Sequence, residues 1–137
     1  MLSCVQVMPL EDAMSNAVEF FQRFPIQRVR ASILDDVLAS ERQRLVLLYL
    51  WQDDCPLCDV AKHDLLRTQE RCQWPQVRWL HDEVEEDPAL ALRFGLHGVP
   101  TFIALYHGRP LGRITSWPGS GPFIEAIERL LVRQGLA

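Results

Sequence analysis

The sequence predicts one α/β domain, in which helices flank both faces of a central mixed sheet of about four to five strands. Residues 45–51 form a continuous apolar run whose length fits a strand buried on both faces. Residues 77–84 alternate well enough for a second strand, and residues 101–106 give a third. A hairpin signal at residues 107–108 then leads into a returning edge strand at 111–117. Helical segments between the strands, followed by this hairpin, indicate a mixed sheet.

Five helices are predicted around these strands. Residues 9–24 carry apolar and aromatic side chains on one broad face, and Pro25 ends that pattern. The other helices begin near residues that favour an N-cap or a first turn: Ser32, Pro56, Asp87 with Pro88, and Gly121 with Pro122. We expect Ile33 in the second helix and Val60 in the third to face the core.

The composition excludes several classes of function. The formal net charge is −4 and no block of lysine or arginine occurs, so no nucleic-acid partner is expected. The longest apolar run, residues 45–51, is too short to cross a bilayer, and a polybasic membrane-binding segment is missing. The N-terminus lacks the charged start and apolar core of a signal peptide. We therefore expect a cytoplasmic protein without membrane association.

The segment Cys55-Pro56-Leu57-Cys58 carries the chemistry of the chain. If Pro56 occupies the first helical turn, Cys55 is the N-cap and Cys58 follows three residues later on the same face. This spacing lets the two sulfurs form a disulfide, and the positive end of the helix stabilises a thiolate at Cys55. Cys58, expected to be the more buried of the two, suits the role of the resolving cysteine.

Two other interpretations of the pair remain open from these residues alone. The cysteines could simply pack in the core, or they could form half of a zinc site together with His63 and Cys72. A closed zinc site needs four ligands, and the sequence has no second C-x-x-C or C-x-x-H pair. We therefore expect no metal. The lack of a glycine-rich dinucleotide fingerprint likewise predicts no tightly bound cofactor.

Two motifs together resemble the thioredoxin superfamily. Trp51, Cys55 and Cys58 match its W-x-x-x-C-x-x-C pattern, and the sequence Gly-Val-Pro-Thr at residues 98–101 matches its G-[IV]-P-T motif. The resemblance covers about residues 32–137, which we predict to be a thioredoxin-like domain. Residues 1–31 are then an N-terminal helical extension. Because two motifs are more specific than one, the redox interpretation of the cysteine pair is favoured over packing or metal binding.

The resemblance implies a thiol–disulfide oxidoreductase that serves cell redox homeostasis. Cys55 would attack a protein disulfide, and Cys58 would resolve the mixed disulfide that results. Pro100 would be a cis-proline beside the pair, and Val99 would offer backbone groups to an extended substrate strand. The implied partners are protein thiols or disulfides as substrates, and a reductase or another dithiol donor as the source of electrons.

The resemblance also implies further substrate contacts around the cysteines. Trp51, Pro56 and Leu57 would lie beside the pair as substrate-binding residues. Trp117 follows the last strand, where it either packs on its own hairpin or forms an aromatic wall that grips a partner.

Several residues depart from the family pattern. Pro56 and Leu57 replace the Gly-Pro of typical thioredoxins, so a similar reducing power is not implied. Tyr49 occupies the position of a buried aspartate that helps to deprotonate the resolving cysteine in the family. Its presence predicts slower resolution or another proton acceptor, for which Asp59 and His63 are candidates by their closeness in sequence alone.

The surroundings of the pair are acidic. Asp53 and Asp54 precede Cys55, and Asp59 follows Cys58. Negative charge disfavours a thiolate, although solvent screens part of it. We therefore expect the pKa of Cys55 to be higher than neutral neighbours would give.

A second class of function is a folding or assembly chaperone, whose groove near Pro100 would hold a peptide with little redox turnover. Tyr49, the acidic surroundings and the added helix favour this class, whereas the retained cysteine pair argues against it. Phe20, Phe21 and Phe24 of the added helix either cover apolar surface on the domain or dock a partner. A second copy of the chain, giving a homodimer, is one such partner.

Overall fold

The structure is a computed structural model that describes residues 18–137. Residues 18–23 are the described part of a first helix, α1, whose predicted start at residue 9 lies outside the described residues. The strands are β1 (Gln27–Arg28), β2 (Leu45–Trp51), β3 (Val77–Glu83), β4 (Thr101–Tyr106) and β5 (Arg109–Thr115). The other helices are α2 (Ala31–Ser40), α3 (Pro56–Arg67), α4 (Gln69–Cys72), α5 (Ala89–Arg93) and α6 (Ser120–Arg133).

The five strands form one mixed sheet in the order β1-β3-β2-β4-β5. Strands β1 and β2 run parallel to β3, whereas β4 runs antiparallel to both β2 and β5. Every residue of the central strand β2 is buried, because helices cover both faces of the sheet. The predicted α/β class, with a mixed sheet of four to five strands, is confirmed.

Alternate side chains of β2 enter two separate cores. Leu47 and Tyr49 lie in the core that contains residues of α1, α3 and α6. Leu48 and Leu50 lie in the opposite core, with residues of α2 and α5. The cysteine pair belongs to the first core, so the described part of α1 lies on the same face of the sheet as the candidate chemistry.

Helix α2 begins earlier than its sequence predicts. Arg30, not Ser32, is the N-cap, and Ala31 is the first helical residue. The cause is a contact from a distant part of the chain, since the Asp87 carboxylate accepts a hydrogen bond from the Ala31 N–H at 2.6 Å. Ile33 was expected in the core but its side chain is exposed, because α2 turns Leu34 and Leu38 inward instead.

Other local predictions also need correction. Val60 is exposed, because the buried face of α3 is formed by its neighbours Cys58, Ala61, Lys62 and Leu65. Helix α6 begins at Ser120, one residue before the predicted glycine and proline. The short elements β1 and α4 were not predicted at all. None of the helices within residues 18–137 has the length and apolar character needed to cross a membrane.

Residues 18–28, which precede the predicted domain at residues 32–137, pack into its core and extend its sheet. The ring centroid of Phe20 lies 6.2 Å from that of Tyr49, and the centroid of Phe24 lies 5.1 Å from that of Trp79. Strand β1 then pairs with β3 and extends the sheet. Because Phe20 and Phe24 are buried within the chain, a homodimer would need a different surface of α1.

Candidate active site

The end of β2 and the start of α3 position the cysteine pair. Cys55 is the N-cap of α3 and Pro56 is its first residue, as the sequence predicts. The Cys58 N–H donates a hydrogen bond to Cys55 Sγ at 3.0 Å, which satisfies one of the unpaired donors at the helix start. The two cysteines form a disulfide, with their Cα atoms 5.2 Å apart.

The two sulfurs differ in their access to solvent. Cys55 is 9% exposed and Cys58 is 0% exposed, which confirms that Cys58 is the more buried residue. Pro56 is exposed and Leu57 is 37% exposed, so both present surface beside Cys55. A substrate sulfur can therefore approach Cys55 from outside, whereas Cys58 is reached only through its partner.

The loop before β4 lies against Cys55, the less enclosed of the two cysteines. The carbonyl oxygen of Val99 is 3.9 Å from Cys55 Sγ, and the Val99–Pro100 peptide bond is cis. Pro100 is buried, and its carbonyl oxygen accepts a hydrogen bond from the Ser116 N–H at 2.8 Å. The structure thus brings together the two motifs that lie far apart in the sequence.

Trp117 is half-buried and packs on the domain core rather than on its hairpin alone. Its ring centroid lies 5.7 Å from that of Phe102 and 5.2 Å from that of Phe123. Its Nε1–H donates a hydrogen bond to the Asp64 carboxylate of α3 at 2.8 Å. Trp117 therefore links the segment after β5 to the helix that carries the cysteines.

Tyr49 of β2 contacts the first turn of α3 from the side of the sheet. Its hydroxyl donates a hydrogen bond to the Cys58 carbonyl oxygen at 3.0 Å. Burial raises the pKa of Tyr49 well above its ordinary value, and the charge of Asp59 adds to this effect. The side chain therefore remains a neutral phenol near pH 7 and cannot accept a proton from the resolving cysteine.

Trp51, the last residue of β2, is buried in the core that also contains the cysteine pair. It is 8% exposed, and its Nε1–H donates a hydrogen bond to His81 Nδ1 at 3.1 Å. Its predicted role in substrate binding stays a prediction, because Trp51 is about as enclosed as Cys55 itself. Burial lowers the pKa of His81 to about 4, with smaller effects from the charges of Arg28 and Lys62.

Lys62 is a residue of the site that the motifs did not indicate. Its Nζ lies 3.5 Å from the ring centroid of Trp51, 5.3 Å from that of Phe21 and 3.8 Å from Asp59 Oδ1. Burial lowers the pKa of Lys62 to about 8, against the opposing effect of nearby carboxylates. Two sequence signals could have found it: Lys62 is the only lysine in the chain, and it lies four residues after Cys58.

The three acidic residues occupy different environments. Asp53 and Asp54 are exposed, and the Asp53 backbone N–H donates a hydrogen bond to Glu83 Oε2 at 3.0 Å. Asp59 is partly buried, and burial raises its pKa while the charge of Lys62 opposes that rise. His63, the other candidate proton acceptor, is exposed and lies on the solvent side of α3, so the structure does not place it at the pair.

The remaining cysteines do not join the site. Cys72 is buried at the end of α4, where its Sγ lies 3.6 Å from the Thr68 hydroxyl. Cys4 lies outside the described residues. In the part of the chain that the structure describes, no three histidine, cysteine or acidic residues are grouped so as to hold a metal ion.

Neutralising the two exposed aspartates is expected to speed the alkylation of reduced Cys55. We expect the variant Asp53→Asn with Asp54→Asn to react about two to five times faster at neutral pH and low salt, because less negative charge opposes the thiolate. Concentrated salt should reduce the difference by screening. Mass spectrometry of the alkylated protein measures the rate. Asp36→Asn, an exposed change on the opposite face of the sheet, is the control; an unchanged or slower rate in the double variant would contradict the expectation.

Three solved structures that share this fold are thioredoxins. Thioredoxin f from spinach chloroplast matches with a TM-score of 0.67 and 21% identity, over 77% of this chain and 92% of that one. A mutant thioredoxin from Halobacterium salinarum has a TM-score of 0.64 and 24% identity, with the same two coverages. Thioredoxin f2 from Chlamydomonas reinhardtii has a TM-score of 0.65 and 13% identity, over 82% and 98%.

No protein-family model matches the chain, and a search of curated protein sequences finds no match. The structural likeness, at identities below a quarter, extends to the fold and agrees with the resemblance carried by the sequence motifs. The chain therefore has the thioredoxin fold, with Cys55 and Cys58 in a C-x-x-C arrangement at the start of α3.

Proposed function

We propose that the protein is a thiol–disulfide oxidoreductase that acts on protein disulfides or dithiols. The observation that carries this proposal is the Cys55–Cys58 disulfide at the start of α3, in which Cys55 keeps 9% exposure and Cys58 has none. An exposed sulfur can exchange with a partner, and a buried sulfur beside it can complete the exchange. Two cysteines that served only to pack the core would not require this difference in access.

The reaction in the reducing direction has two steps. The Cys55 thiolate attacks one sulfur of a substrate disulfide, so a Cys55–substrate bond forms and the other substrate sulfur leaves as a thiolate. The Cys58 thiolate then attacks Cys55 Sγ, and the second substrate sulfur leaves with the electron pair of the broken bond. The substrate gains two electrons and the pair becomes the disulfide seen in the structure. A dithiol protein or a reductase would return the pair to its reduced form.

The helix start supports the first step. Cys55 Sγ lies at the positive end of α3 and accepts the Cys58 N–H at 3.0 Å. Both interactions favour a thiolate over a thiol at Cys55 once the disulfide is reduced. Cys55 is therefore proposed as the attacking cysteine and Cys58 as the resolving one.

The substrate is proposed to lie across the surface beside Cys55. Val99 is next to the sulfur, and a peptide strand could add to its backbone above the buried Pro100. Pro56 and Leu57 form the opposite border, with the exposed Leu57 side chain as an apolar contact. Trp117 is a third border, although its indole N–H is already engaged by Asp64.

The proposal is tested by the redox equilibrium of the pair in glutathione buffers, measured together with turnover of the disulfides of insulin. We expect a two-electron dithiol couple, and turnover that Cys55→Ser abolishes. Serine is itself a good N-cap, so this variant retains the start of α3. A pair that stays oxidised or reduced in every buffer, without turnover, would contradict the proposal. That result would favour the chaperone-like binding module, for which the neutral phenol of Tyr49 is the supporting observation.

A further inference from the structure

Lys62 is the only lysine among the 14 lysine and arginine residues of the chain, and it is 1% exposed. Among the buried side chains of residues 18–137, it is the only lysine or arginine. An arginine would keep its charge at every accessible pH, whereas a lysine can lose its charge when it is buried. The chain thus places its one lysine against Phe21 and Trp51 of the core that also holds the cysteine pair.

Lys62 shares a helix face with the resolving cysteine. Residues four apart on a helix are neighbours, so Lys62 lies one turn after Cys58 on the buried face of α3. The Nζ atom lies over the Trp51 ring at 3.5 Å, and Trp51 is the last residue of the strand that leads to the pair. The ammonium therefore lies under the site and not on the outer surface of the helix.

The groups that face Lys62 come from every element packed around it. They are Asp59 on α3, Asp53 in the preceding loop, Trp51 on β2, His81 and Glu83 on β3, and Phe21 on α1. The carboxylates stabilise the positive charge of Lys62, and His81, which is neutral near pH 7, adds no repulsion to it. The two rings add a cation–π contribution. Within the described residues, Nζ has no hydrogen-bond partner, and its nearest carboxylate oxygen is 3.8 Å away.

The other buried polar groups near the pair cannot stabilise a thiolate at Cys58 by charge. Tyr49 is neutral, and its hydroxyl already donates a hydrogen bond to the Cys58 carbonyl oxygen. His81 is neutral, and its Nδ1 accepts the proton of the Trp51 indole. Asp59 is negative when ionised and would oppose a thiolate. Lys62 is the one described buried group here with the required sign.

We propose that the Lys62 ammonium stabilises the thiolate of Cys58 in the reduced protein and so speeds the resolving step, an inference that rests on the oxidoreductase function proposed above. In that step the Cys58 thiol gives its proton to solvent, and its sulfur bonds to Cys55 Sγ. The Cys55–substrate bond breaks, and the electron pair leaves on the substrate sulfur. Lys62 keeps its own proton throughout and acts as a positioning residue through its charge.

The first test uses the fact that the chain has a single lysine. Protein grown with lysine labelled with carbon-13 at the ε position gives one side-chain resonance, so the titration of Lys62 is read without assignment. We expect a midpoint near pH 8 in the oxidised protein. In the reduced protein we expect a midpoint higher by about one unit, because a charge that stabilises a thiolate is stabilised by it in return. Equal midpoints in the two states would overturn the proposal.

The second test replaces the charge. Lys62→Met removes the ammonium with a side chain of similar length, and Lys62→Arg restores a cation. In a Cys55→Ser background that also carries Cys4→Ser and Cys72→Ala, ultraviolet absorbance of the thiolate follows the ionisation of Cys58. We expect its midpoint to rise by about one pH unit in Lys62→Met and to return toward the original value in Lys62→Arg. His63→Met, an exposed change at the next residue, is the matched control and should leave the midpoint unchanged.

The same Lys62 variants, made in a chain that keeps both Cys55 and Cys58, test the rate of the resolving step. A tenfold loss of thiolate is partly offset by the greater nucleophilicity of a more basic sulfur, so resolution at neutral pH should slow about threefold in Lys62→Met. The pH profile of that step should shift upward, a change that a purely structural role would not cause. An unchanged Cys58 midpoint in folded Lys62→Met would overturn the proposal. If that variant does not fold, the lysine titration of the Cys55→Ser chain decides, because Cys58 is then the only thiol of the pair.

The outcome also separates this inference from the proposed function. Neither titration requires a substrate, so absent turnover with a redox-linked Lys62 would refute the oxidoreductase and leave the thiolate contact standing. Normal turnover with a lysine that titrates identically in both states would refute the role of Lys62 alone.

Discussion

Replacing Cys58 with serine is expected to trap a covalent complex between Cys55 and its substrate. The reduced variant can still attack a disulfide through Cys55, the less enclosed cysteine, but no second sulfur is present to release the product. Incubation with insulin should therefore give a mixed disulfide, seen by mass spectrometry and lost on reduction. Multiple-turnover activity should fall to the uncatalysed background.

The matched variant is Cys55→Ser, in which only the fully buried Cys58 remains of the pair. We expect it to trap no substrate. Both variants are best made in a chain that also carries Cys4→Ser and Cys72→Ala, since four cysteines are present. Equal trapping by both variants would show that the roles assigned from exposure are wrong. No trapping by either would show that the pair does not exchange with this substrate.

Truncation of Phe20 to alanine is expected to destabilise the protein by about 3–5 kcal/mol. Phe20 is fully buried, stacks on Phe24 with ring centroids 5.0 Å apart, and meets the edge of Tyr49. The loss would be a large part of the roughly 5–15 kcal/mol that holds an ordinary domain folded. Urea unfolding followed by tryptophan fluorescence measures the change in the free energy of unfolding.

Val18→Ala is the control for this measurement, because Val18 lies in the same helix and is 57% exposed. Its effect should stay within about 0.5 kcal/mol. If Phe20→Ala were as harmless as Val18→Ala, α1 would not be packed on the sheet in solution. The aromatic face of this helix would then be available to a partner, the other role that the sequence left open.

Local signals predicted the elements that flank the site. Strand β2 runs from Leu45 to Trp51, as its apolar run indicates, and β4 has the predicted bounds of residues 101–106. Helix α3 starts at Pro56 with Cys55 as its N-cap, because proline at the first helical position is a strong signal that needs no distant contact. The attacking and resolving roles were assigned from these features together with the family resemblance.

Elements that depend on distant partners were missed or misplaced. Strand β1 has two exposed polar residues and no hydrophobic pattern, and it exists through its pairing with Leu80 and His81 of β3. The start of α2 depends on the Asp87 carboxylate, which lies 56 residues later. Neither contact leaves a periodic signal in the segment that it shapes.

By itself, the sequence determined the fold class, the central strands and the placement of a cysteine pair at a helix start, since each rests on local periodicity or on a motif. Only the tertiary structure decided the chemical environment of that pair. It buried Lys62 over Trp51, made Tyr49 a hydrogen-bond donor to Cys58 and left Cys55 as the accessible sulfur. The physical reason is that burial and charge at one residue are set by side chains from other strands and helices, and these meet only when the sheet has formed.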